Sequence, residues 1–160
     1  MIRPPHIIPL NSPEQTARLA REIGTQLKAG DCILLNGPVG AGKTHFARSL
    51  IQSLMDFPED VPSPTFTLVQ TYDTNKGEIW HADLYRITSP DEVEELGLTD
   101  AFSTAISLVE WPENLGDLAP ENALHLTLSP NPDNQDARVA RFEWTSGKWV
   151  SVLDHVQHDT

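Results

Sequence analysis

The sequence predicts an α/β domain built on a mixed sheet, on three observations. A glycine-rich segment, Gly37-Pro38-Val39-Gly40-Ala41-Gly42-Lys43-Thr44, lies between a short apolar run and an amphipathic stretch. Apolar runs end in an acid twice, at Asp83 and at Glu110. The order helix, strand, loop, helix, hairpin, helix, strand, hairpin alternates elements as a sheet covered by helices requires.

The first helix is expected to open at Ser12-Pro13-Glu14-Gln15, where a capping hydroxyl, proline at the first helical position and glutamine at the third form a capping box. It is read to about Lys28, with Ala17, Leu19, Ala20, Ile23 and Leu27 on its apolar face. Cys32 to Leu35 reads as a buried strand. Phe46, Ala47, Leu50, Ile51 and Leu54 recur at helical spacing, predicting a helix over Lys43 to Met55. Pro58, Pro62 and Pro64 rule out a helix through the next stretch. Phe66–Tyr72 and Glu78–Asp83 flank Asp73-Thr74-Asn75-Lys76-Gly77 as a hairpin. Ser89-Pro90-Asp91-Glu92 repeats the capping-box logic and opens a short acidic helix to about Leu96. Ile106–Val109 is the next strand, and Leu124–Leu128 with Ala137–Trp144 a closing antiparallel pair. Residues 154–160, with His155 and His158, are expected to fray rather than bind a metal.

A chain of 160 residues with 39% hydrophobic content closes one core, so a single domain over 1–160 is expected. The net charge of -12, with 11 Lys and Arg, argues against a protein that grips nucleic acid by itself and favours a basic protein partner. The lone Cys32 cannot form an internal disulfide and reads as core. Neither a secretory signal nor an apolar stretch of about 20 residues is found, which points to a cytosolic protein.

The glycine-rich segment fits the Walker A pattern in its expected context of strand before and helix after. Glycines let successive backbone N–H groups turn onto phosphates, and the helix start adds its positive dipole end. Lys43 is expected to reach the β- and γ-phosphates and Thr44 to offer its hydroxyl to Mg²⁺. Asp83 stands where a Walker B acid faces the phosphates, or simply caps the next turn. Glu110 is a second candidate for the metal, or a surface acid before Pro112. Trp111 reads as a stacking surface or as core. Ser63-Pro64-Thr65-Phe66-Thr67 is either a switch segment that senses the γ-phosphate or a proline turn.

Together these segments resemble the TsaE family, the P-loop ATPases that act with TsaB and TsaD to make N6-threonylcarbamoyladenosine in tRNA. Gly40-Ala41-Gly42-Lys43-Thr44 is similar to the family's P-loop, and Ser63–Val69 to its switch. His81-Ala82-Asp83-Leu84-Tyr85-Arg86 is similar to its H-x-D-L-Y-R box, and Val109-Glu110-Trp111-Pro112-Glu113 to its E-W-P segment. The resemblance implies that Thr44 and Glu110 hold Mg²⁺, and that Asp83 orders the water or the metal shell. Lys43 and Thr65 join Asp83 as the implied catalytic set. ATP is then expected to touch Gly37 to Thr44, His45, Trp111 and, on a weaker match, Arg138. Partners implied are TsaB and TsaD, with tRNA reached only through them. Two departures stand out. Pro38-Val39 replaces the usual acid after the first glycine and removes one N–H donor, and His45 replaces a second hydroxyl residue. A small P-loop kinase would need more arginines than Arg86, Arg138 and Arg141 after the P-loop helix. Asn75-Lys76-Gly77-Glu78 has Glu where a guanine-reading segment has Asp, precedes Asp83 where it should follow, and reads as a hairpin turn. A regulatory scaffold that binds ATP without hydrolysing it is the alternative from another class.

Overall fold

The computed structural model describes residues 2–64 and 67–157. One seven-stranded mixed sheet runs through the molecule in the order β1-β7-β6-β2-β5-β4-β3. Its strands are β1 (His6–Leu10), β2 (Cys32–Asn36), β3 (Val69–Thr74), β4 (Gly77–Asp83), β5 (Ile106–Glu110), β6 (Leu124–Asn131) and β7 (Asn134–Glu143). The central strands β6, β2, β5 and β4 are mutually parallel, while β3, β7 and β1 extend the sheet antiparallel at its ends.

Alternation along the central strands feeds two cores. Ile33, Leu35, Ile79, Ile106, Leu108 and Leu126 face helices α1 (Pro13–Gly24), α2 (Lys43–Ser53) and α5 (Lys148–Gln157). Cys32, Leu34, Ala82 and Val109 face α3 (Pro90–Glu95), α4 (Leu98–Thr104) and the 3₁₀ segment Pro112–Leu118. Coverage on both faces is what a parallel sheet centre requires. Cys32 is buried, and burial pushes its thiol far above the ordinary range, which leaves it a core residue. No helix among the described residues is long and apolar enough to cross a membrane.

The first cap forms with one shift. Ser12 accepts from the Gln15 N–H at 3.2 Å, but the Gln15 side chain accepts from the N–H of Asn11 rather than of Ser12. Helix α1 then stops at Gly24, short of Lys28, where the Thr25 hydroxyl donates to the Glu22 carbonyl at 2.7 Å. At α3 the capping box is absent. Ser89 makes no side-chain cap, and Glu92 instead accepts from Thr88 at 2.6 Å. The hairpin is tighter than expected, with Thr74 paired to Gly77 around Asn75-Lys76. Phe66, placed in its first strand, lies outside the described residues.

The C-terminal stretch departs most from expectation. Residues 154–157, expected to fray, continue helix α5, in which Trp149, Leu153 and Val156 are fully buried. Trp149 Nε1 donates to the Asn122 carbonyl at 2.7 Å, and Lys148 Nζ meets Asp31 Oδ1 at 2.7 Å. The start of α5 is thereby tied to the turns before β6 and β2, and residues 158–160 lie outside the described residues. Trp149→Ala empties a fully buried site and removes the indole donor, so it is expected to cost about 3–5 kcal/mol, read as a lowered urea midpoint at unchanged m-value.

Candidate functional site

Strand β2 ends at Asn36, and the six residues to Gly42 turn the chain into α2. Gly37 has φ +141°, and a Cβ there would stand 2.4 Å from the Leu128 carbonyl oxygen of β6, so no side chain fits. Gly42 precedes the helix at φ +102° and supplies no side-chain cap, which leaves the first amides of α2 to other partners. Arg138 braces this loop from β7. Its Nε donates to the Ala41 carbonyl and its Nη2 to the Gly40 carbonyl, both at 3.1 Å, while Nη1 donates to Gln135 and Ala137 carbonyls at 2.7 and 2.9 Å. In a trans peptide the C=O and N–H point oppositely, so this bracing turns the Gly42 N–H away from Arg138. Arg138 is not among the residues lining the cleft beside the loop.

That cleft has a volume of about 510 Å³ and is walled by Gly42, Lys43, Thr44, Asp83, Glu110 and Trp111, with Val39, Gly40, His45, Ser63 and Tyr85 at its margins. The parallel register sets its acids. Leu35 of β2 is opposite Glu110 of β5, which is opposite Asp83 of β4. Both acids are buried, at 3% and 5% exposure, and both point to the face occupied by α2. The Thr44 hydroxyl donates to Glu110, at 2.9 Å from Oε1 and 3.0 Å from Oε2. His81 Nε2 lies 2.7 Å from Glu110 Oε2. Asp83 also takes the bland role open to it in the sequence, since its Oδ1 accepts from the Tyr85 N–H at 3.0 Å and so caps the turn.

Lys43 is nearly enclosed. Its Nζ donates to the Gly37 carbonyl at 2.6 Å and lies 3.4 Å from the centroid of the Trp111 ring. Trp111 has φ +57°, a left-handed conformation uncommon outside glycine, and its ring meets that of Tyr85 at a centroid distance of 5.0 Å. It is therefore a wall of the cleft, and it also packs against the second core. His45 Nε2 lies 3.0 Å from the Pro13 carbonyl, joining the start of α2 to the start of α1. Pro38 and Val39 form the exposed crest of the loop. Thr65 lies outside the described residues.

In the sequence His81 and Tyr85 stand out only as members of the H-x-D-L-Y-R box and Ser63 only as part of the candidate switch segment, with no site role of their own. The period-2 spacing of His81 to Asp83 was the available signal, because it puts both on one face of β4.

Burial pushes the Lys43 pKa below its ordinary value, with Glu110, Glu113 and Asp83 pulling it back up. Between the lowered folded value and the ordinary 10.5, the unfolded chain holds a proton at Lys43 that the folded protein lacks. Stability on this account rises with pH through that alkaline window. Lys43→Met should lose that component of the rise, checked by comparing urea unfolding of the two proteins across the window.

Known proteins align with this arrangement. The family model described as "Threonylcarbamoyl adenosine biosynthesis protein TsaE" matches residues 10–140. A tRNA threonylcarbamoyladenosine biosynthesis protein TsaE from Rickettsia felis is 40% identical over 148 residues, covering 92% of this chain and 85% of its own. The protein of that name from Bacillus subtilis is 33% identical over 150 residues, covering 92% of both. Among solved structures, the crystal structure of Bacillus subtilis YdiB has a TM-score of 0.77 at 24% identity and covers 100% of this chain and 99% of its own, a likeness of fold. The matched span contains the glycine-rich loop, both strand-end acids and Arg138, and the chain belongs to the TsaE family of threonylcarbamoyladenosine biosynthesis proteins.

Proposed function

We propose that this protein binds ATP with Mg²⁺ in the cleft beside the loop and hydrolyses it, as the nucleotide-driven subunit of tRNA threonylcarbamoyladenosine synthesis. The observation that carries the reading is the convergence of Lys43 and Thr44, at the start of α2, with Glu110 across the cleft. Such a set is suited to a triphosphate and its cation. The donor chemistry fits Mg²⁺. Thr44 Oγ1 gives its hydrogen to Glu110 and keeps lone pairs for a cation, and the carboxylates are hard oxygen donors. Among the described residues no group of three or more His, Cys, Asp or Glu could hold a metal. The remaining ligands would come from phosphate oxygens and water, as Mg²⁺ sites ordinarily have it.

In this reading Thr44 and Glu110 would hold the ion, which when bound would offset the negative charge of the nucleotide's phosphates. Lys43 leaves the Gly37 carbonyl and pairs with the same phosphates, exchanging a neutral acceptor for an anionic one. Asp83, beside Glu110 in the register, orients the attacking water. Trp111 and Tyr85 narrow the opening and limit water around the phosphates. Thr65 belongs to a segment that senses the γ-phosphate. The protein acts in the cytosol with TsaB and TsaD, and the -12 charge favours contact with basic protein surfaces over direct contact with tRNA.

Lys43→Ala is expected to abolish ATP binding measured by calorimetry while the far-UV spectrum is kept. Binding at the parent's affinity would remove the assignment. Glu110→Gln should raise the Mg²⁺ concentration for half-maximal activity by about tenfold or more, whereas Asp83→Asn should lower turnover with nucleotide binding largely kept. The reverse pattern would exchange their roles. Phosphate release should be slow alone and rise with TsaB and TsaD, towards the roughly 10³- to 10⁵-fold gained when P-loop enzymes borrow a partner's arginine. Stimulation by free tRNA, or none in any mixture, would sink the partner assignment.

A further inference from the structure

His81 is fully buried on the face of β4 that carries Asp83, yet its ring does not turn along the strand to that acid. It reaches across to β5. The register pairs His81 with Leu108 and Asp83 with Glu110, which makes Glu110 the diagonal neighbour of His81. Nε2 stands 2.7 Å from Glu110 Oε2. An ionised carboxylate only accepts, so Nε2 carries the hydrogen and donates. Nδ1 is enclosed with no hydrogen-bond partner among the described residues.

That unpartnered nitrogen argues against a merely space-filling role. Ile79 and Leu108, on the same face, are ordinary core residues, and an aliphatic side chain at 81 would fill the layer without burying an unsatisfied acceptor. What an aliphatic side chain cannot do is hold Glu110. The carboxylate sits at the end of a side chain with three rotatable bonds, and the Thr44 hydroxyl has one hydrogen for two oxygens at 2.9 and 3.0 Å. A second donor, from a ring locked in the sheet, fixes Oε2 and with it the carboxylate plane.

We infer that His81 is the positioning residue of the cation site, holding Glu110 by Oε2 so that the Thr44–Glu110 pair is already aligned when nucleotide and Mg²⁺ arrive. The inference rests on the functional reading above and adds a residue to it. His81 touches neither nucleotide nor cation; it acts through Glu110, as outer partners of metal-binding groups do.

The test uses the full chain and ADP, titrated by calorimetry in EDTA and across a Mg²⁺ series, with a thermal melt of each protein. His81→Leu removes the donor, and His81→Gln keeps an N–H near the Nε2 position. His81→Leu should move the Mg²⁺ midpoint up by about tenfold with ADP affinity in EDTA held within about twofold, and His81→Gln should stay within about threefold of the parent. If the leucine variant does not fold, His81→Asn, whose shorter amide falls short of Glu110, replaces it with the same expected shift. An unchanged midpoint in a folded variant lacking the donor overturns the inference. So does an equal loss in the glutamine protein. If the parent itself binds ADP with no dependence on Mg²⁺, the functional reading falls first and the inference with it.

Discussion

The register of three parallel strands, which sets Leu35 beside Glu110 and Glu110 beside Asp83, determines whether there is a site at all. A slip of one residue in β5 would turn Glu110 into the opposite core and bring Val109 to the cleft. The register is secured because β5 is buried at all five positions and its two faces feed two different cores. Helix α2 packs on the face that carries the acids, so the loop before it needs only to deliver Lys43 and Thr44 at the helix start. The chemistry is thus assembled by the least adjustable part of the sheet.

Much of this was legible in the sequence, and the omissions have physical causes. The glycine-rich loop, α2 and the strands ending at Asp83 and Glu110 announce themselves through local pattern. Strand β1 did not, because Pro9 lies within it and its position depends on pairing with β7, more than a hundred residues away. Proline is tolerated there because β1 is an edge strand. Helix α5 carries its own pattern, since Trp149, Val152, Leu153 and Val156 recur at helical spacing. At the site, residue types singled out Lys43, Thr44, Asp83 and Glu110, which the cleft brings together, but not who holds whom. His81 reaches Glu110 across 29 residues of chain, Thr44 reaches it across 66, and Arg138 meets Ala41 across 97. No local spacing encodes such pairs.

Lys43 already has partners in this structure. Its ammonium group is shared between the Gly37 carbonyl and the Trp111 face, and the left-handed backbone at Trp111 is what lays that ring over it. Such a backbone costs on the order of 1–3 kcal/mol, comparable to what a desolvated cation–π contact returns. A ligand engaging this lysine would therefore exchange partners with it and not fill an unused donor.

Arg138 differs from Lys43 in the kind of partner it has. Its four hydrogen bonds among the described residues all end on carbonyl oxygens, with no carboxylate in the set. Neutral dipoles fix the guanidinium in place but leave its full unit charge in the far field, whereas a salt bridge would have cancelled it. In a chain of net charge -12, this places directly behind the glycine-rich loop a cation whose charge no hydrogen-bonded carboxylate offsets.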